Sequence, residues 1–204
     1  MKNQNNEDNV QNDGLKVILV GEMGSGKTSL INVCVGNKFN LNEKSSNSAS
    51  FVIKETKIFG KIYTIHLWDT MGQEKYHALT KIFIKNSHIV ILTYDITNRN
   101  SFEKLNYWYT ETQNILGKDV IYAVVGNKTD LFIKEEVHED EVNKYCKGKN
   151  MPYKLTTALN PLTFTEFLDK LIVKYFKKFG GRIEGPVGSQ LSIQIEDEKK
   201  KKCC

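Results

Sequence analysis

A glycine-rich loop between two short apolar stretches constrains this chain more than any other feature. Residues 21–28 read GEMGSGKT and fit the phosphate-loop pattern G-x-x-x-x-G-K-[ST]. The preceding residues 15–20 are typical of a buried parallel strand, and residues 28–36 are typical of a helix that ends at Gly36. Because glycines let such a loop turn tightly, backbone N–H groups can surround phosphate oxygens at the helix N-terminus. The loop therefore predicts a nucleoside-phosphate site; a chance glycine-rich turn before a helix is the alternative.

Two side chains at the end of this loop have specific expected tasks. Lys27 is expected to reach the β- and γ-phosphates, and the Thr28 hydroxyl is expected to ligate Mg²⁺. The residues expected to contribute to nucleotide binding here are Gly21, Met23, Gly24, Ser25, Gly26, Lys27, Thr28 and Ser29.

The composition of the 204-residue chain narrows the class of protein. No apolar run reaches the roughly 20 residues of a membrane-spanning helix. Residues 1–14 are polar, which predicts a disordered extension and not a secretory signal. The four cysteines fit no disulfide framework, the four histidines show no metal-ligand spacing, and a net charge of +5 is too small to indicate nucleic-acid binding. We expect a cytosolic monomer with one domain and a tail.

Strand-like and helix-like stretches alternate along the chain. The predicted strands are 15–20, 51–59, 62–68, 88–94, 120–125 and 153–155, with a hairpin at Gly60-Lys61. The predicted helices are 28–36, a stretch after Asp69 to about Lys85, 101–116 capped by Ser101, 140–149, and 163–178 capped by Thr163. This order predicts an α/β fold, with a six-stranded, mostly parallel sheet, helices on both faces and one antiparallel edge strand.

An acidic residue follows the second hairpin strand in the sequence WDTMGQE. Asp69 at the end of a strand that faces the phosphate loop can hold Mg²⁺ through its water shell. The Gly72 N–H is placed to meet a γ-phosphate, and Gln73 to orient an attacking water. The alternatives are a turn-forming role for Asp69 and an ordinary surface position for Gln73.

The sequence NKTD at 127–130 follows another predicted buried strand. Asp130 can accept two hydrogen bonds from the N1–H and 2-amino groups of guanine, whereas adenine has no such donor pair. Asn127 and Lys128 are expected to brace the base and the phosphate loop. A phosphate-loop kinase or ATPase is the alternative, but it would need an adenine site and a phosphoryl acceptor.

Together these motifs resemble the small GTPases and, among them, the Rab family. The resemblance covers about residues 15–178 and the C-terminus, and it is carried by LVGEMGSGKTSL, WDTMGQEKYHAL, ILTYDIT, VVGNKTDL and the terminal Cys-Cys. Residues 38–51, with KYHAL, look most like the endosomal branch. The resemblance implies a phosphate-loop small G domain over residues 15–179 that binds GTP or GDP with Mg²⁺ and hydrolyses GTP slowly.

Further site residues are implied by position within the family. Phe39 matches an aromatic residue that packs on guanine, and Ser46 matches a threonine that ligates Mg²⁺. Thr157, Ala158 and Leu159 match a guanine-binding loop in which the Ala158 N–H contacts the base. The aromatic triad that meets effectors is matched by Phe51, Trp68 and Phe83.

Several side chains depart from the family pattern, four of them at the expected nucleotide site or in the loop after Asp69. Met23 and Met71 are long where relatives carry small residues, Ser46 replaces threonine, and Leu159 replaces lysine. Met23 either crowds the γ-phosphate or points to solvent. These changes keep every type of nucleotide ligand but leave the hydrolysis rate and the partners open. A GTP-locked membrane scaffold is therefore the alternative to a working switch.

The last residues, 180–204, read as a flexible tail that ends in KKKKCC. Cys203 and Cys204 resemble the Rab double geranylgeranylation site, and two stray thiols are the alternative. The resemblance implies an anchor on the cytoplasmic face of an intracellular, endosomal membrane, with a cytosolic pool. It also implies an exchange factor, an activating protein, a dissociation inhibitor or escort protein, and effectors as partners.

Overall fold

One six-stranded sheet forms the centre of the protein. The computed structural model describes residues 14–40, 50–70, 77–117 and 119–179. The strands are β1 Leu15–Val20, β2 Ser50–Ile58, β3 Lys61–Asp69, β4 Ile89–Asp95, β5 Ile121–Asn127 and β6 Tyr153–Leu155. Their order across the sheet is β2-β3-β1-β4-β5-β6. β2 pairs antiparallel with β3 at one edge, and the other neighbours are parallel, so the predicted fold class is confirmed.

Helices cover both faces of this sheet. They are α1 Lys27–Cys34, α2 His77–Ile84, α3 Arg99–Glu103, α4 Leu105–Leu116, α5 Glu139–Lys149 and α6 Pro161–Phe179. Alternate residues of β1 belong to different cores: Leu19 packs with α1 and α6, whereas Ile18 packs with α4 and α5. Because both faces are covered, β1 and β4 are almost continuously apolar. No helix in the described part of the chain is long and apolar enough to cross a membrane.

Several predicted element ends were wrong. Ser101 does not cap a helix, since α3 begins at Arg99 and the Asn98 side chain accepts from the Ser101 N–H at 3.2 Å. The Ser101 hydroxyl instead donates to the Asn98 carbonyl at 2.7 Å. Helix α6 begins at Pro161, before the predicted cap Thr163, because proline suits a first helical turn.

The hairpin turn also lies one residue earlier than predicted. It is formed by Phe59 and Gly60, which have φ values of 49° and 80°. A short 3₁₀ helix, Thr129–Lys134, follows β5 and was not predicted. Both differences are local, so the order of the strands is unaffected.

The fold gathers the predicted motifs at one edge of the sheet. β1, β3, β4 and β5 run in the same direction, so their carboxyl ends lie side by side. The phosphate loop follows β1, Asp69 ends β3, and Asn127 ends β5. We call this edge, with the loops that leave it, the nucleotide edge.

Candidate functional site

The phosphate loop is held tightly against two other parts of the nucleotide edge. A Cβ atom at Gly21 would lie 2.0 Å from the Thr93 carbonyl oxygen of β4. A Cβ atom at Gly26, where φ is 87°, would lie 2.2 Å from Nδ2 of Asn127. Both glycines are therefore required by space, and the loop position depends on β4 and on the end of β5.

Lys27 lies across the loop that it follows. Its Nζ donates to the carbonyl oxygens of Gly21 and Glu22, each at 2.9 Å, and the residue is only 4% exposed. Burial lowers the pKa of Lys27 to about 8, although the carboxylates of Asp69 and Glu22 oppose that shift. A phosphate next to this ammonium would favour its charged form. The position therefore suits an anionic ligand.

The two described candidates for Mg²⁺ ligation meet directly. The Thr28 hydroxyl at the start of α1 donates to Asp69 Oδ2 at 2.7 Å, and Asp69 is 3% exposed. The next residue, Thr70, fixes this end of β3 to β1 by donating to the Leu19 carbonyl at 2.6 Å. A hydroxyl and a carboxylate supply the oxygen ligands that Mg²⁺ prefers, so the pair fits the ion. Ser46, Met71, Gly72 and Gln73 lie outside the described residues.

Asn127 joins the phosphate loop to the loop that follows β5. Its side-chain nitrogen donates to the Ser25 carbonyl at 3.0 Å, and the residue is 1% exposed. Lys128 has φ 68°, and its Nζ lies 2.6 Å from Asp95 Oδ2 at the end of β4. Two consecutive residues therefore tie the loop after β5 to the phosphate loop and to β4.

The loop that precedes α6 lies beside Asp130. The Thr157 hydroxyl donates to an Asp130 carboxylate oxygen, and the Leu159 N–H donates to that hydroxyl at 3.1 Å. The Thr129 N–H also donates to the Thr156 carbonyl at 3.1 Å. The predicted base-binding segments at 127–130 and 157–159 are thus brought together.

The remaining described candidates surround this arrangement. Ser29 is half-buried in the first turn of α1, and Gly24 lies in the loop with φ 79°. The side chain of Met23 is 52% exposed, that of Leu159 is 60% exposed, and Ala158 is buried. Phe39 is partly buried and packs against the core formed by α1 and α6.

The three aromatic residues of the predicted partner surface form one continuous group. Phe51 of β2 stacks on Trp68 of β3 with ring centroids 4.9 Å apart, and Phe83 of α2 lies 5.8 Å from Trp68. The ammonium of Lys16, on β1, lies 4.4 Å from the centroid of the Trp68 ring. The group therefore joins β2, β3 and α2 on the surface.

Sequence reasoning missed two residues that position the site. Trp108, on α4 and 1% exposed, donates from Nε1 to the Glu22 carboxylate of the phosphate loop at 3.1 Å. Asp95, which holds Lys128, belongs to the ILTYDIT motif but had no assigned role. Glu22 and Trp108 are 86 positions apart, so no local pattern could have paired them.

Removing the donor of this bond should loosen the phosphate loop. We expect Trp108→Phe, which keeps an aromatic ring but loses the N–H, to release GDP roughly tenfold faster, since hydrogen bonds to charged groups contribute about 1.5–3 kcal/mol. Stopped-flow release of fluorescent GDP measures this rate.

Substitutions of the acceptor provide the control. Glu22→Gln retains an acceptor oxygen and should release GDP nearly as slowly as the wild type, whereas Glu22→Leu should match Trp108→Phe. The double variant Glu22→Leu/Trp108→Phe should be no faster than either single one. Additive effects, or normal release by Trp108→Phe, would show that the bond does not position the loop.

The fold and the nucleotide edge define a phosphate-loop nucleotide-binding protein. The sequence profile of the Ras family matches residues 16–177. The chain is 40% identical to Ras-related protein Rab-21 of Geodia cydonium over 155 residues, which is 76% of this chain and 68% of that protein. It is 39% identical to human Rab-21 over 143 residues, 70% of this chain and 64% of that one. Ras-related protein RABA1b of Arabidopsis thaliana is 28% identical over 200 residues, 93% of each chain.

The chain belongs to the Ras family, and it is a Rab-like small GTPase. Its alignment with the Rab-21 proteins spans about two thirds of their length. The family resemblance expected from the motifs is thereby confirmed.

Proposed function

We propose that this GTPase is a membrane-attached switch of vesicular traffic at endosomes. The Rab-21 relatives support the pathway. The observation that carries the nucleotide switch itself is the bond from Asn127 to the Ser25 carbonyl at 3.0 Å. This bond makes the phosphate loop and the base-binding loops a single site. One site therefore responds both to the identity of the base and to the number of phosphates.

Guanine is selected by the carboxylate of Asp130. That group accepts from the N1–H and 2-amino groups of the base, and the Thr157 hydroxyl fixes its position by donating to one of its oxygens. The Ala158 N–H donates to the guanine oxygen, Phe39 and Leu159 lie against the base, and Lys128 is held in place by Asp95.

The phosphates are bound at the N-terminus of α1. Backbone N–H groups from Gly21 to Ser29 surround the α- and β-phosphates, and the Lys27 ammonium moves from the loop carbonyls to the β- and γ-phosphates. Thr28, Asp69 and Ser46 would hold Mg²⁺, which supplies neutralisation of phosphate charge when bound.

Hydrolysis depends on the placement of water by Gln73, with the Gly72 N–H on the γ-phosphate. Gly72 and Gln73 come three and four positions after Asp69 in the sequence and lie outside the described residues. No arginine of this sequence lies at a position where a catalytic arginine in cis is expected. Unassisted turnover should therefore be slow, and an arginine from an activating protein should add roughly 10³ to 10⁵.

The partners act on the part of the molecule that senses the γ-phosphate. Effectors are expected to contact the Phe51, Trp68 and Phe83 group, which is continuous with the ends of the two segments, about 40–50 and 69–81, that would respond to the nucleotide. An exchange factor, an activating protein and a dissociation inhibitor or escort protein complete the cycle. Lipids on Cys203 and Cys204, which lie outside the described residues, attach the protein to the cytoplasmic face of the membrane.

Single-turnover hydrolysis of GTP by the Mg²⁺-loaded protein tests the switch. We expect slow conversion to GDP, acceleration by a Rab-activating protein, and a loss of at least roughly tenfold in Gln73→Leu. The matched control is Gln113→Leu, since Gln113 is an exposed glutamine on α4 away from the nucleotide edge.

Two outcomes would contradict this mechanism. Rapid unassisted hydrolysis that survives Gln73→Leu would remove the role of Gln73. Retained GTP with no conversion would identify a locked scaffold instead, and recovery of hydrolysis in Met23→Ser/Met71→Ala would assign the block to the two methionines.

A further inference from the structure

The end of the sheet opposite the nucleotide edge exposes two large apolar side chains. Phe59, in the turn between β2 and β3, is 58% exposed, and Ile62 at the start of β3 is 69% exposed. Ile58, the last residue of β2, points inward and is 6% exposed. The hairpin therefore presents an apolar tip to solvent while its base packs into the core.

This apolar tip belongs to a strongly basic part of the chain. Residues 57–63 and 170–179 contain six lysines and no aspartate or glutamate, and all six lysines are exposed. The four on α6 occupy positions 170, 174, 177 and 178, which lie on one side of a helix. Their opposite side, including Leu171 and Tyr175, is buried in the core.

Packing places one face of the hairpin next to the end of α6. The rings of Tyr63 on β3 and Phe176 on α6 have centroids 4.4 Å apart. Ile58 is buried in the same apolar cluster as Phe176. We call the end of the molecule that carries Lys57, Phe59, Lys61, Ile62, Lys177 and Lys178 the basic end. Lys57 and Ile62 pair across the hairpin, on the face of β2 and β3 that is turned away from α6.

We propose that the basic end docks on an anionic membrane leaflet and orients the protein there. Lysines attract acidic headgroups, and exposed Phe and Ile side chains enter the boundary between headgroups and acyl chains. This proposal rests on the membrane attachment proposed above.

The path of the chain supports a membrane as the occupant. Helix α6 ends at Phe179 within the basic end, and the 25 residues that follow terminate in KKKKCC. An anchor at that terminus would tether the basic end to the membrane through these 25 residues. The nucleotide edge would then point away from the membrane, where soluble regulators and effectors can reach it.

The carboxylates that flank these lysines in the sequence, Glu55 and Asp169, offset only two of the six positive charges. Asp169 is engaged with β2, because the Thr56 hydroxyl donates to its Oδ1 at 3.2 Å. Glu55 precedes Lys57 by two residues on β2, farther from the turn. Residues 1–13 and 180–204 carry further acidic groups, so the test uses the full chain.

Vesicle flotation of the full-length, unlipidated, GDP-loaded protein tests the docking. Vesicles contain phosphatidylcholine alone or with about 30% phosphatidylserine. We expect binding only with phosphatidylserine, weakened by added salt. Phe59→Asn/Ile62→Thr should lower the partition coefficient roughly tenfold, since it removes the apolar tip. Asparagine tolerates the positive φ of residue 59, and threonine suits a strand, so the hairpin is retained.

The lysines give a second, independent variant. Lys177→Gln/Lys178→Gln should lower partition at least roughly fivefold while leaving the tail lysines in place. The matched control is Phe132→Asn/Ile133→Thr, because these side chains are 66% and 87% exposed but follow β5 at the nucleotide edge. It should bind vesicles as the wild type does.

Each outcome decides the proposal. Wild-type partition by the hairpin variant, or an equal loss in the Phe132/Ile133 control, would overturn it. Binding to vesicles of phosphatidylcholine alone that does not weaken with added salt would also overturn the proposal. Variants that lose binding to a protein partner but bind vesicles unchanged would overturn it as well. Retained GDP in every variant shows an intact fold. Because this assay uses neither lipidation nor hydrolysis, failure of the proposed switch or anchor would be seen separately.

Discussion

Gly26→Ala is expected to destabilise the protein and to abolish tight nucleotide binding. Its Cβ would lie 2.2 Å from Nδ2 of Asn127, so the side chain that joins the two nucleotide loops would be displaced. We expect the free energy of unfolding to fall by about 2–5 kcal/mol, from overpacking and from alanine at positive φ. The GDP affinity should fall at least roughly hundredfold, because the phosphate loop loses its brace.

Gly36→Ala separates the clash from the backbone strain. Gly36 also has a positive φ, 91°, but a Cβ there would meet no atom within 4 Å. That variant should lose only about 1–2 kcal/mol and should bind GDP normally. Urea unfolding and fluorescent-GDP titration measure the two quantities. Equal behaviour of the two variants would show that the contact with Asn127 is not what requires glycine at position 26.

Asp130→Asn is expected to have the largest effect on base selection. The substitution removes the charged acceptor of two guanine donors while Thr157 can still contact residue 130. Hydrogen bonds to charged groups contribute about 1.5–3 kcal/mol each, so the GDP affinity should fall roughly 10² to 10⁴-fold. The asparagine amide can donate to an oxygen at the 2-position of a base. Xanthosine diphosphate, which has that oxygen, should therefore bind the variant better than GDP does.

Competition binding with GDP, xanthosine diphosphate and ADP measures this change. Asp140→Asn is the control, since it neutralises another aspartate, in the first turn of α5. It should leave all three affinities unchanged. Normal GDP affinity in Asp130→Asn would show that the carboxylate does not select the base.

The fold class and the meeting of the motifs at one edge of the sheet followed from local patterns. The apolar runs of β1, β4 and β5 are unambiguous because both faces of these strands are buried. Parallel strands place the loops that follow them on one edge, so the phosphate loop, Asp69 and Asn127 were expected to meet. The observed contacts between Thr28 and Asp69 agree with that expectation.

Element ends were harder to predict because neighbouring polar side chains compete for the same backbone groups. Asn98, and not Ser101, caps α3, although either side chain could accept from a helical N–H. Ser101 is instead buried, with its hydroxyl bonded to the carbonyls of Asp95 and Asn98. Ser101 is buried against the end of β4, and Asn98 therefore caps the helix in its place.

By itself the sequence determined the class of site: GEMGSGKT after a buried strand and NKTD after another imply phosphates and a guanine base, because those loops carry their chemistry locally. Only the tertiary structure decided how the loops are held. Glu22 meets Trp108, and Asn127 meets Ser25, across 86 and 102 positions of the chain. The lysines of the hairpin and of α6 also lie at the same end of the molecule because Tyr63 packs on Phe176. Such contacts depend on how sheet and helices pack, and local sequence does not encode them.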